Sequence, residues 1–447
     1  MKRAILAASL VALLSGGCSV LVSLEGLSES EGAGGSAGAG AAGPGGGPGA
    51  FTFTDDGLDG EFGLGTNMST EWAGDRMVLD GTLAEGVFRS RIFDAGGEAT
   101  WETLTWTPAA PYQKPLPGDQ LLEMGYQEDA FDMDSNILLY HLDGMGQLSN
   151  GAMLLDSSGD ENDATVQAPG ELMEYEQGSP IGAALRDTTD TYAALEAQWV
   201  ETWSDDFTWA LWVKTTQPCA GNKVYLGSDD GAAGPHVWLG CADGSSLDDC
   251  GNGVGRAAGV LLSEHSLMGD GVDFCGTTQI NDGAWHHLAV VKEDHDQATV
   301  TLYVDGKAED THEGFFSEPI NFSNDPEFGL GAFVNSTYQA EGSFDEVAMW
   351  DRALSAAEIA ALWRRGALRL SLAVRTCNDP TCSDDPPFVG PNHSAEGYAD
   401  SAPTLTPPGD LPLSLPKARY FQYEARMSTY RVGESPALLS VTVKGHR

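Results

Sequence analysis

Residues 281–306, NDGAWHHLAVVKEDHDQATVTLYVDG, constrain the fold more than any other stretch of this 447-residue chain. Two runs, 285–292 and 299–304, are rich in β-branched and aromatic residues and flank the polar loop 293–298, which predicts a strand, a hairpin connection and a returning strand. Thr299, Thr301 and Tyr303 alternate with Val300, Leu302 and Val304, a period of two that sends one row into a core and leaves the other near solvent. Such alternation marks a half-buried antiparallel sheet. Asp305-Gly306 supplies the turn that follows.

A second strand reads differently. Residues 207–214, FTWALWVK, place Phe207, Trp209, Leu211 and Val213 on one face and Thr208, Ala210, Trp212 and Lys214 on the other, and both faces are largely apolar. A strand apolar on both sides belongs in the middle of a two-layer structure, with its second face beneath a loop or lining a concave groove. Trp212 is the candidate for the groove, where its ring would stack on a sugar; ordinary core is the competing assignment. One helix is well signalled: Ser355-Ala-Ala-Glu358 forms a capping box, Leu354 and Ile359 a hydrophobic staple, and Gly366 stands ready to end it. Ile359, Leu362 and Trp363 share its apolar face.

The wording DGAWHHLAVV…VTLYVDG at 282–306, followed by EGSFDEVAMWDRALSAAEI at 341–359, resembles the laminin-G-like jelly-roll family of the concanavalin A-like lectin and glucanase superfamily. The resemblance implies a jelly roll over about 131–366. It leaves activity open, because the fold carries sugar-binding, protein-binding and hydrolytic members. It also implies a structural calcium ion at the sandwich edge. Asp156 and Asp160, in the Gly-containing loop Asp156-Ser-Ser-Gly-Asp160-Glu-Asn-Asp163, with Asp345 on a late strand, are the expected ligands, hard oxygen donors suited to a hard cation. A plain solvated turn is the alternative for that loop.

The flanks are similar to a discoidin-like β-sandwich: GVFRSRIFDAG and TWETLTWTP within 86–108, then LSLAVRTCNDP at 370–380, ARYFQYEARM at 418–427 and PALLSVTV at 436–443. These segments run without interruption in that family. The expected architecture is therefore all-β, an antiparallel jelly-roll sandwich (131–366) inserted into a second, split β-sandwich (51–130 and 367–447), with two separate small sandwiches as the alternative.

Residues 1–18 resemble a bacterial lipoprotein signal: Lys2 and Arg3, an apolar run too short to span a membrane, then small residues before Cys18, the expected lipidation site. Leu14 lies one position further from the cysteine than that pattern prefers, and ordinary secretion is the alternative. Ser19 implies the outer membrane under the sorting rule of enteric bacteria. Residues 19–50 include a Gly/Ala-rich tether lacking the apolar bulk that ordering a chain requires. Six further cysteines are an even number, as expected of an oxidising compartment, and nearness in sequence suggests Cys219–Cys241, Cys250–Cys275 and Cys377–Cys382.

A formal net charge of −43, from 66 Asp plus Glu against 23 Lys plus Arg, sets nucleic acid aside as a partner. Acidic pairs such as Asp205-Asp206, Asp229-Asp230, Asp248-Asp249 and Asp384-Asp385 read mainly as solvated surface. Catalytic patterns are weak. Glycoside hydrolysis by a retaining route needs two carboxyl groups about 5 Å apart, and Glu341 and Glu346, an odd number apart on a strand, would face opposite ways. His286 and His287 likewise diverge, and outside the Gly/Ala-rich tether the chain has no HExxH pair, nucleophile elbow or phosphate-binding loop. The sequence thus points to an exported surface lipoprotein that binds an extracellular glycan or protein without catalysis. A glycoside hydrolase and a ligand-free envelope scaffold are the alternatives.

Overall fold

The two ends of the described chain are hydrogen-bonded to each other. In the computed structural model, residues 49–447 are described except 58–60, 168–171, 188–193, 199–201, 204–205, 230–234, 245–246, 248–249, 252, 264–269, 295–296, 317–319, 322–326 and 334–336. The signal segment, Cys18, nearly all of the tether, and Asp205, Asp230, Asp248 and Asp249 lie outside the described residues. Strand Ala50–Asp56 pairs antiparallel with the last strand, Ala437–His446, from Ala50 opposite His446 to Asp56 opposite Ser440. Glu85–Arg89 lies against Ala418–Thr429, and Leu368–Cys377 pairs with that same strand along its whole length. The long strand Phe93–Pro108 pairs with both, its start against Ala418–Thr429 and its remainder against Ala437–His446. Strands from residues 50–108 and 368–446 thus share one sheet system and one core, in which Trp101 stacks on Phe421 at 4.8 Å and Phe88, Phe93 and Tyr423 pack nearby.

Between these halves runs a jelly roll of antiparallel strands. Phe207–Lys214 is central, paired with Trp285–Glu293 on one side and Gly342–Trp350 on the other. Its odd-numbered residues Trp209, Leu211 and Val213 meet Val290, Leu302 and Met349 and, from the opposing layer, Leu239 and Phe274. Its even-numbered face carries Ala210, which lies in register with Ala289 and Ala348 of the two neighbouring strands. Three methyl groups abreast leave a shallow seat, and the helix Ala356–Ala367 lies in it with Ile359 and Leu362 inward. Burying each of those side chains is worth about 1.5–3 kcal/mol. This explains why the strand is apolar on both faces.

The capping box forms as expected. Ser355 Oγ accepts from the Glu358 amide at 3.3 Å, and Glu358 Oε2 accepts from the Ser355 amide at 2.8 Å. Gly366 does not end the helix, which runs on to Ala367 and passes directly into Leu368–Cys377. Glycine stands there for close packing: a Cβ would lie 2.7 Å from Trp212 Cζ2. The six cysteines join as Cys219–Cys241, Cys250–Cys275 and Cys377–Cys382, with Cα–Cα distances of 5.5, 5.3 and 5.2 Å.

The segment between the first half-sandwich and the jelly roll is held by buried charge. The Arg365 guanidinium donates to both carboxylate oxygens of Glu123 and to the carbonyls of Lys114 and Pro115. Lys114 reaches in turn to Asp400 at 3.3 Å and to Thr404 at 3.1 Å. These bonds tie the end of the helix, the connecting segment and a loop of the second half-sandwich together.

Candidate functional site: clefts at one end of the jelly roll

Trp212 does not line a groove. It is 1% exposed, with its ring edge-on to His287 at 5.3 Å and to Tyr430 at 6.3 Å, and Trp363 and Ala367 of the helix pack against it. The expectation of a sugar-stacking Trp212 is therefore corrected: the helix and a turn of the flanking sandwich occupy the space a ligand would need.

The three expected calcium ligands are not brought together. Asp156 folds its own loop: Oδ1 accepts from the amides of Leu139 and Ser158 at 2.8 and 2.9 Å, and Oδ2 from Ser158 Oγ and the Asn162 amide at 2.6 and 3.0 Å. Four donors leave that carboxylate turned to its own backbone. Asp160 is exposed and meets Gln120. Asp345 is wholly buried and accepts from the Ile181 amide at 3.2 Å. Among the described residues no group of three or more His, Cys, Asp or Glu side chains is arranged to hold a metal ion.

Asp345 and Glu346 sit where the strand bulges. The register against Phe207–Lys214 shifts between Ala210 and Trp212, and Glu346 takes a φ of 45°. A bulge sets adjacent side chains out of strict alternation, which parity counting along a regular strand does not anticipate. Glu346 Oε1 meets His141 Nδ1 at 2.7 Å, and its Oε2 accepts from the Leu116 amide at 3.2 Å. Burial, and then the Glu346 charge, raise the Asp345 carboxyl well above its ordinary range. Burial alone would lower His141, but the Glu346 carboxylate outweighs it and raises the imidazole. The adjoining cavity, walled by Trp212, His287, Glu346 and Arg365, holds only about 10 Å³, less than a sugar ring needs. Glu341, by contrast, lies in an open cleft, so it and Glu346 do not share a site.

The two histidines diverge as expected. His287 is buried against Trp212, and desolvation pushes its imidazole down to about 4, so it stays neutral. His286 bonds to Asp305 at 3.0 Å and to Asp282 at 3.3 Å; burial would lower it, but those carboxylates prevail and raise it.

Open space gathers beside His286. A cleft of about 530 Å³ is lined by Lys214, Trp285, His286 and Asp305 of the jelly roll, Trp363 of the helix, and Tyr430 and Arg431 of the sandwich. Lys214 Nζ lies 5.6 Å from the Trp285 ring centre, the Arg431 guanidinium stacks 3.9 Å over Trp363, and Tyr430 is 44% exposed. A second cleft of about 760 Å³ shares Lys214 and Gly283 with the first and adds Glu176, Arg186, Gln217, Lys223 and Glu341. Both volumes fall in the range of ligand sites. Aromatic faces beside charged and amide groups suit a sugar, whose C–H face packs on a ring while its hydroxyls take hydrogen bonds. Of these residues sequence reasoning had singled out Glu341 and His286 only to set them aside. Trp285 carried a signal, opening a strand just after the Asp282-Gly283 turn, at the sheet's rim. Tyr430 and Arg431 carried none, since they arrive from the other domain.

Comparison with known proteins agrees with the strand arrangement. A family model described as the concanavalin A-like lectin/glucanases superfamily matches residues 187–360. No curated protein sequence is similar to the chain. Among solved structures, domain 4 of the extracellular arabinanase AbnA from Geobacillus stearothermophilus, in complex with arabinotriose, is 18% identical over 51% of this chain and 98% of that one, with a TM-score of 0.34. The binding domain of Paraclostridial Mosquitocidal Protein 1 is 13% identical over 55% of this chain and 61% of its own, with a TM-score of 0.34. The botulinum neurotoxin serotype D binding domain is 11% identical over 52% of this chain and 51% of that one, with a TM-score of 0.36. Likenesses this loose add nothing to the assignment. It rests on the motifs, the matched segment and the antiparallel jelly roll, by which residues 187–360 are similar to the laminin-G-like jelly rolls of the concanavalin A-like lectin/glucanases superfamily.

Proposed function

We propose that this protein is an exported surface lipoprotein that binds a glycan in the cleft beside Trp285, without catalysis. The observation that carries the reading is the cleft itself, with Trp285 and the half-exposed Tyr430 at its wall and Lys214, His286 and Arg431 around them. Two of the three carboxylates lining the two clefts have charged or amide partners: Glu176 pairs with Lys214 at 3.2 Å and with Arg186 at 3.8 Å, and Asp305 accepts from the His287 amide and meets His286. Asp345, whose pKa is raised, is sealed away from either cleft. Three disulfides suit an oxidising compartment. Acylation of Cys18, with the Gly/Ala tether after it, would hold the folded part away from an outer membrane.

A glycan array followed by titration calorimetry on the hits tests the reading. Trp285→Ala and Tyr430→Ala should each weaken the best hit by about tenfold or more, as residues at the centre of a binding patch do. Sugar release from any hit by the wild-type protein, or affinity untouched by both substitutions, would overturn it.

A further inference from the structure

The clefts do not stop at the jelly roll. Arg369 donates to the Tyr430 hydroxyl and, at 3.2 Å, to the Ser179 carbonyl, beside Gly178 at the wall of the Trp285 cleft. On its other side Arg369 lines a third cleft, of about 590 Å³, walled by sandwich residues including Glu85, Ser371, Glu396 and Arg426. Lys214 and Gly283 line both of the first two clefts, and the Arg369–Tyr430 bond sets the wall of the third against the wall of the first, so the three clefts follow one another from the jelly roll onto the sandwich.

Charge is distributed unevenly along that track. The chain has 66 carboxylates and 23 Lys plus Arg. Six of the 23 line the three clefts, Arg186, Lys214, Lys223, Arg369, Arg426 and Arg431, against five of the 66. A random draw from this composition would give carboxylates almost a threefold majority. Lys223 and Arg431 form no ion pair with a carboxylate among the described residues, and Lys214 and Arg186, with side chains 39% and 52% exposed, share the single carboxylate of Glu176. Exposed pairs like these exchange partners at little cost. The acidic remainder of the surface is screened beyond a Debye length of about 8 Å in physiological salt, so the cations within the track dominate what a bound group feels.

We propose that the ligand is an extended acidic polysaccharide, with carboxylate or sulfate on its sugars, laid along all three clefts so that jelly roll and sandwich grip one chain. This rests on the clefts being the glycan site. A chain held in one cleft presents its next sugars to the following one at high effective concentration, so affinity rises with length until the track is filled.

The test is calorimetry on the mature full-length chain with oligogalacturonates of about three and about ten sugars, the longer acid binding at least about tenfold tighter than its methyl ester, which has the same backbone and no charge. Dextran sulfate against dextran asks the same of sulfate, and preference for either acid over its neutral partner supports the proposal. Lys214→Gln should weaken both oligomers. Arg369→Gln, or Arg426→Gln should the first variant fold poorly, should weaken only the longer one. Esters or dextran binding as tightly as the acids would overturn the acidic assignment while leaving the glycan reading intact. No gain with length, or silence of both sandwich variants, would remove the sandwich from the site. Binding of polyglutamate in place of any sugar would point to an acidic protein partner, and failure of every sugar, neutral ones included, would overturn the glycan reading itself.

Discussion

Replacing Arg365 by methionine should destabilise this protein more than removing any exposed ion pair. The Arg365 and Glu123 side chains are 2% and 0% exposed. Methionine keeps most of the volume but withdraws the guanidinium from the Glu123 carboxylate and from the carbonyls of Lys114 and Pro115. Glu123 would keep only the Phe131 amide, at 3.0 Å, as a donor to its carboxylate. Stranding one member of a buried pair costs about 3–5 kcal/mol, because the remaining charge stays desolvated without its partner. The pair Arg419–Asp94, with side chains 46% and 44% exposed, sets the contrast, and Arg419→Met should cost far less than Arg365→Met, because water screens an exposed pair. Urea unfolding of both variants against wild type measures the difference. The double variant Arg365→Met/Glu123→Leu should recover part of the loss, since it removes the stranded charge together with its partner. A loss below about 1 kcal/mol for Arg365→Met, or a double variant no better than the single, would refute the reasoning.

Two further outcomes are expected. Ser355→Ala removes the acceptor for the Glu358 amide and should lower stability by about 1 kcal/mol, read as a fall in melting temperature; an unchanged midpoint would mean the cap contributes nothing. Burial raises Asp55 to about 6, against the offsetting Arg91 and Tyr423, so its protonated form favours the folded state and stability is lost as pH rises from about 4 to about 6. Asp55→Asn should remove up to about 3 kcal/mol of that pH dependence relative to wild type, and parallel pH profiles for the two proteins would show the carboxyl to be unperturbed.

The local features of this fold were written in short stretches of sequence. The strand at Thr299–Val304, the capping box at Ser355 and Glu358, and the nearness of Cys377 to Cys382 each involve neighbours a few positions apart, and each appears where the chain places it, except that the strand's second row is not left near solvent: Thr301 and Tyr303 are buried, Tyr303 in the cluster that includes the helix residues Ile359 and Leu362. The flanking motifs belong to a single sheet system for a related reason, since strand-forming runs keep their character wherever their partners lie. Sequence placed Trp212 correctly on the second face of its strand. What covers that face was decided by packing: Ala210, Ala289 and Ala348 in register make a seat for the helix, and Tyr430 arrives from the other domain. The bulge at Glu346 was equally out of reach, because it depends on how Gly342–Trp350 registers against a strand more than a hundred residues earlier. The candidate site is the extreme case. Its wall is closed by the Arg431–Asp305 contact, 126 residues apart, and continued by Arg369–Ser179, 190 apart. Periodicity along a chain specifies which residues share a face, but a cleft between domains exists only once distant segments have docked, so its residues carry no shared local pattern by which to be found.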